Sequence, residues 1–278
     1  MVKTVSILGC GWLGTALGKK FLTNGVAVKG SVVSTDSYNR LETTGIQTYH
    51  IRINTDGVAI DYKNFFNTDV LIIALPPRGE NVIESFPQQI NQIVQLIGET
   101  KIARVLFVSS TSVYQPWNGV VREGDEGYPG KPTGRSLIKA EKILLALPDV
   151  KTTIVRLGGL IGYDRNPARF LSGKKNVAAD TPVNLIHRDD AVQIIFDLIQ
   201  KNIWGEVFNA CSPHHPTKKE FYTKAASISG LPAPEFNLLQ ENYKIVNSDK
   251  LISRLGYSFR YFSPMDYLKE VEEWAFRI

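Results

Sequence analysis

With 278 residues, 43% of them apolar and 21% charged, the chain can hold one large α/β domain or two smaller ones around an ample core. Its net charge of +5 comes from scattered Lys and Arg, with no basic stripe interleaved with aromatics, which excludes a nucleic-acid surface, and its longest apolar runs are too short to span a bilayer. Two cysteines, Cys10 and Cys211, are too few for a disulfide framework or a zinc site; a reducing cytoplasm is the expected location, with neither nucleic acid nor membrane as partner and no metal.

The first stretch, Thr4–Gly14, reads T-V-S-I-L-G-C-G-W-L-G. Val5, Ile7 and Leu8 have no helical spacing and predict a buried strand. Gly9, Gly11 and Gly14 follow at G-x-G-x-x-G spacing, and Leu13, Ala16, Leu17 and Phe21 then open a helix. Gly9 permits a tight turn, Gly11 leaves room for a pyrophosphate, and Gly14 lets helix and strand pack closely. The main-chain N–H groups of Trp12, Leu13 and Gly14, at the positive end of the new helix, would face the phosphates. Cys10 is a small filler with no chemistry of its own.

Ala27–Val33 predicts the second strand. No carboxylate closes it where NAD would want one for its ribose; the segment reads S-V-V-S-T, with Asp36 arriving late. Ser31, Ser34, Thr35 and Arg40 are instead candidates for a 2′-phosphate, so the cofactor is read as NAD(P), with NADP favoured. Thr48–Ile53 is the third strand and Asp69–Leu75 the fourth, nearly all apolar as strands covered on both faces are. Pro76 and Pro77 end it, so Leu75 and Pro76 border the crevice at the carboxyl ends of the strands. A helix through Ile83, Ile90, Ile93, Val94 and Ile97, with Pro87 near its start, leads to the fifth strand, Arg104–Ser109, and Thr153–Leu157 makes a sixth. This alternation predicts a doubly wound parallel sheet.

The second half alternates less regularly. Asp189 and Asp190 open a helix, the right end for acids. Thr217 to Glu220 forms a capping box, Ser248 and Gly256 bracket a short helix, and Ser263–Pro264 starts the last one. The reading is a dinucleotide-binding domain over 1–160, to which parts of 184–212 return, and a smaller, interleaved α/β substrate domain over 161–278.

Three further matches join the glycine turn: S-S-T-S-V-Y (Ser109–Tyr114), V-R-L-G-G-L-I-G (Val155–Gly162) and N-L-I-H-R-D-D-A-V (Asn184–Val192). Together they resemble the extended branch of the short-chain dehydrogenase/reductase superfamily, the NAD-dependent epimerase/dehydratase family, over nearly the whole chain. The resemblance implies a dinucleotide on the glycine turn, with Ser109 beside it, and a small polar substrate, nucleotide sugars included. It also implies catalysis by a Ser or Thr after the fifth strand and a Tyr-x-x-x-Lys on the next helix. Ser110 takes the first place. The helix reads T-G-R-S-L-I-K-A-E-K, and registering Glu141 on the family's glutamate puts Thr133 on the tyrosine and Leu137 on the lysine. A threonine hydroxyl can donate a hydrogen bond but is a far weaker acid than a phenol. Gly159 stands where many members carry a substrate-holding asparagine. The pattern resembles the family's atypical subgroup, which keeps the fold and cofactor turn with an incomplete site.

Tyr163 and Arg165 are candidate substrate residues, Arg165 for a phosphate or carboxylate. His187, Asp189 and Asp190 read as structural, and His214–His215 lacks a ligand set. The expectation is an NAD(P)-dependent epimerase/dehydratase- or reductase-type oxidoreductase, as monomer or homodimer. The alternative is a non-catalytic NADP-binding sensor.

Overall fold

The computed structural model describes residues 2–55, 58–59, 63–239 and 241–275. Its centre is a seven-stranded parallel sheet: β1 (Thr4–Leu8), β2 (Ala27–Val32), β3 (Gln47–His50), β4 (Val70–Ile73), β5 (Arg104–Ser110), β6 (Lys151–Leu157) and β7 (Val207–Ala210). They are ordered β3-β2-β1-β4-β5-β6-β7. The order reverses between β1 and β4, and in doubly wound sheets a ligand crevice opens outside the carboxyl ends at that point. Val5, Ile7 and all four residues of β4 are fully buried, as strands covered on both faces must be.

The helices used below are α1 (Trp12–Thr23), α2 (Thr35–Glu42), α3 (Val82–Gly98), α4 (Pro132–Leu145) and α5 (Arg188–Gln200). Leu13, Leu17 and Phe21 form the buried stripe of α1, and the Phe21 ring meets Phe196 of α5 at 5.1 Å. Pro87 lies in the second turn of α3, near its start.

Two strand readings are corrected. The third strand ends at His50; Arg52–Ile53 instead pairs antiparallel with Val58–Ala59. The fourth excludes Asp69, whose carboxylate accepts the N–H groups of Lys3 at 2.7 Å and Thr4 at 2.9 Å and so staples the start of β1. The seventh strand, V-F-N-A, adds to the six that the sequence suggests.

The chain falls into two compact units. The first comprises Met1–Val113, Tyr128–Arg156 and Val192–Phe208; the second comprises Tyr114–Gly127, Leu157–Ala191 and Asn209–Ile278. Short parallel ladders run through the second unit, pairing Gly159–Ile161 with Leu185–His187 and Gly119–Val121 with Lys244–Val246. Its core gathers Ile161, Leu185, Phe221, Tyr261, Tyr267 and Leu268. Thr217 and Glu220 form the reciprocal capping box, and Ser248 and Gly256 flank a helix over Asp249–Leu255. Among the described residues no helix is long and apolar enough to cross a membrane.

Candidate active site

The three glycines after β1 have three different physical reasons. Gly9 has φ +93°, and a Cβ there would lie 2.9 Å from both the Ala74 carbonyl oxygen and Leu75 Cδ2. The turn therefore passes over the end of β4, at the switch point. A Cβ on Gly14 would come within 2.9 Å of the Gly9 carbonyl oxygen and 3.2 Å of Ile7 Cγ2, pushing α1 off its strand. Gly11 is the opposite case: a Cβ there would meet nothing within 4 Å. That is the space a pyrophosphate needs, at the positive end of α1.

The turn is braced from β2. Gly9 N–H donates to Ser31 Oγ at 2.9 Å, and Cys10 N–H donates to the Ser31 carbonyl at 2.7 Å. This corrects the reading of Ser31 as a candidate for the 2′-phosphate: it is buried, and its hydroxyl oxygen supports the turn. Cys10 is buried as well, which pushes its thiol up to about 12 and leaves it inert.

Past β2 the chain caps α2. Exposed Ser34 accepts from Ser37 N–H at 3.3 Å and donates to Ser37 Oγ at 2.9 Å, and Arg40 Nη2 reaches Ser37 Oγ at 3.3 Å. Two hydroxyls, a helix start and a guanidinium thus stand together one residue beyond exposed Val33.

At the end of β5 the two serines part company. Ser109 is buried, and its hydroxyl donates to Glu141 Oε1 at 2.5 Å. Glu141 is gripped in turn by Arg156, Nη2 at 2.6 Å and Nε at 3.1 Å. Only the main chain of Ser109 is left for a cofactor. Ser110 is half-buried, and its Oγ accepts Ser112 N–H at 3.2 Å, a turn bond that leaves the hydroxyl proton to be donated elsewhere.

Thr133 is the second residue of α4. A Cβ on its neighbour Gly134 would sit 2.2 Å from the Ser112 carbonyl oxygen, so the turns carrying Thr133 and Ser110 are in direct contact. Leu137, in the lysine's place, is 2% exposed and belongs to the core. Lys139 pairs outward with Glu84 at 2.6 Å. A phenol and a cation do meet nearby, Arg135 Nη1 donating to the Tyr128 hydroxyl at 2.8 Å. Yet Arg135 follows Thr133 by two residues, about 200° round the helix, so this pair does not stand in for the missing Tyr and Lys.

Tyr163 and Arg165 belong to the second unit. They lie in a tight turn closed by Arg165 N–H donating to the Gly162 carbonyl at 2.8 Å, with Tyr163 at φ +36°. The Tyr163 phenol donates to the Asp189 carboxylate, and the Arg188 guanidinium lies 4.8 Å over its ring. Burial and the bond to Asp189 push the phenol up to about 12, which makes it a poor base near neutral pH. Exposed Arg165 lies 5.8 Å over the Phe170 ring.

His187 stands behind this turn, 1% exposed, in contact with Tyr163, Tyr261 and Tyr267. Its Nδ1 accepts Asp189 N–H at 3.2 Å, and its Nε2 has no hydrogen-bond partner among the described residues. Burial above all pulls its pKa down to about 4, with Asp189 working against the shift. Asp190 accepts from Tyr257 Oη at 2.7 Å, Arg260 N at 2.8 Å and Tyr261 N at 3.1 Å. The sequence missed this anchoring role, because an acid near a helix start already has a sufficient local reason. His214 and His215 bond Ser263 Oγ and the Val183 carbonyl respectively.

No family model matches the chain. It is 33% identical over 269 residues to protein YeeZ of Escherichia coli K12, covering 95% of this chain and 98% of that one. A functionally unknown conserved protein from Silicibacter pomeroyi DSS superposes with TM-score 0.79 at 21% identity, covering 98% of each chain. UDP-glucuronic acid 4-epimerase from Bacillus cereus, solved with UDP-glucuronic acid and NAD, gives TM-score 0.81 at 17% identity over 99% of each. The chain belongs to the family of protein YeeZ and has the fold of the extended short-chain dehydrogenases/reductases, the NAD-dependent epimerase/dehydratase type.

Proposed function

We propose that this protein is an NAD(P)-dependent oxidoreductase of epimerase/dehydratase or reductase type, acting on a small polar substrate. The observation that carries the reading is the open space over Gly11, bounded by the braced turn and the start of α1. When bound, the nicotinamide ring would supply hydride transfer. Main-chain N–H groups at the start of α1 would hold the pyrophosphate over Gly11, with Leu75 and Pro76 beside it. Ser34, Ser37 and Arg40 would hold a 2′-phosphate, which favours NADP. Ser110 would donate its free proton to a substrate hydroxyl or carbonyl, assisted by Thr133. Tyr163 and Arg165 are proposed to contact substrate. The solved epimerase's nucleotide-sugar ligand makes that substrate class the first to test.

The test is a thermal-shift titration with NAD, NADH, NADP and NADPH, followed by a panel of carbonyl compounds and sugar nucleotides. Ligand at a hundred times Kd stabilises by about 2.7 kcal/mol, roughly 5–10 °C for a chain of this size. No shift with any of the four removes the reading. The burial of Leu137, with no charge in the lysine's place, favours one second reading, an NADP-binding sensor without catalysis. A shift with NADPH, no turnover on the panel, and a partner released by one redox form would select it.

A further inference from the structure

The first unit carries a second concavity, at the edge of the sheet opposite the glycine turn. A groove of ≈ 620 Å³ opens at the amino ends of the strands, where Thr4 of β1, Lys29 of β2, Arg104 of β5 and Lys151 of β6 meet Lys101 and Trp204 from the connecting loops. Its volume lies in the range of small-molecule sites. Four cations line it against two carboxylates, Asp69 and Asp149. Asp69 is already engaged by the N–H groups of Lys3 and Thr4.

Helices α3, α4 and α5 end just before this rim, and cations there ordinarily serve the last helical carbonyls. Lys29 does so, donating to the Asn64 and Asn67 carbonyls at 2.6 and 2.7 Å after the helical turn Lys63–Phe66. Lys101, Arg104 and Lys151 do not. Among the described residues their side chains make no hydrogen bond and no ion pair, although Arg104 attracts Asp69 through space. Three like charges without a hydrogen-bonded partner line one groove, an arrangement that favours an anion between them. Trp204 supplies a flat apolar wall, its indole N–H fixed on Asn202 Oδ1 at 3.0 Å.

We propose that this groove binds a small phosphate-bearing anion, at a site separate from the glycine turn and independent of what that turn holds. The surplus of two positive charges matches a doubly charged phosphate, Lys101, Arg104 and Lys151 would take its oxygens, and Trp204 would flank an attached group.

The experiment is calorimetric titration of the full chain with inorganic pyrophosphate at low salt. It compares the wild type, Gly11→Val, Lys101→Gln with Lys151→Gln, and Arg104→Gln alone. Gly11→Val closes the glycine turn, so binding that survives in it with Kd within about twofold reports the groove. In that background the double lysine change and Arg104→Gln should each weaken pyrophosphate at least about tenfold, while both proteins keep the wild-type melting temperature. In the Gly11→Val background pyrophosphate should also perturb indole fluorescence, and Trp204→Phe should abolish that response. No binding to Gly11→Val, equal binding to the lysine variant, or equal displacement by chloride at matched ionic strength would each overturn the proposal.

Discussion

Arg156 of β6 closes on Glu141 of α4 at 2.6 Å, with only 3% and 4% of the two side chains exposed. Glu141 spends its other oxygen on the Ser109 hydroxyl, so one buried carboxylate ties strand β6, helix α4 and the end of β5 together. Taking either charge away leaves the other unpaired in the core, which costs about 3–5 kcal/mol. Arg156→Met and Glu141→Leu should each lower urea-unfolding stability by that amount. The two together should cost less than either alone, which a double-mutant cycle measures.

The glycine turn separates folding from binding. Gly9→Ala places a Cβ 2.9 Å from a backbone oxygen at φ +93° and should destabilise by about 2–3 kcal/mol. Gly11→Ala fills open space and should leave stability within about 0.5 kcal/mol, while weakening dinucleotide binding at least tenfold. Paired unfolding and titration experiments read both effects.

His187 makes stability depend on pH. Unfolded, it titrates near 6.5; folded, near 4. Between those values the unfolded chain takes up a proton that the folded chain refuses. The contribution is therefore complete above about pH 6.5 and lost as pH falls to 4, a difference of about 3 kcal/mol. Urea midpoints measured across that window should fall accordingly. His187→Asn, which keeps an acceptor for Asp189 N–H but cannot titrate, should flatten the slope.

Dinucleotide preference should respond to α2. Ser34→Asp keeps a helix cap but sets a carboxylate beside the proposed 2′-phosphate position, and Arg40→Ala removes the cation. Each should lower the NADPH to NADH affinity ratio about tenfold. An unchanged ratio would remove α2 from the cofactor site.

The Rossmann half was legible because its signals are steric. Gly9, Gly11 and Gly14 stand where a side chain would clash or intrude, and β4 is buried along its whole length. Strand β7 escaped because buried Asn209 interrupts its apolar run, its amide oxygen accepting the Tyr114 hydroxyl at 2.6 Å. The paired strands of the second unit are two or three residues long, too short for any periodicity. Ser31 misled because a serine near a strand's carboxyl end looks like a ligand group, and only its tertiary partners reveal a brace. Register alone puts Leu137 in the lysine's place, and its burial gives the physical meaning of that substitution.

The first unit takes its last piece from residues 192–208, the stretch that brings most of α5 and the start of edge strand β7 to a sheet begun at Thr4. A ribosome must therefore make about three-quarters of the polypeptide before that sheet can finish its border. Truncation near residue 160 should yield an aggregating fragment with a bare flank on β6, and a single proteolytic nick should not liberate an autonomous first unit.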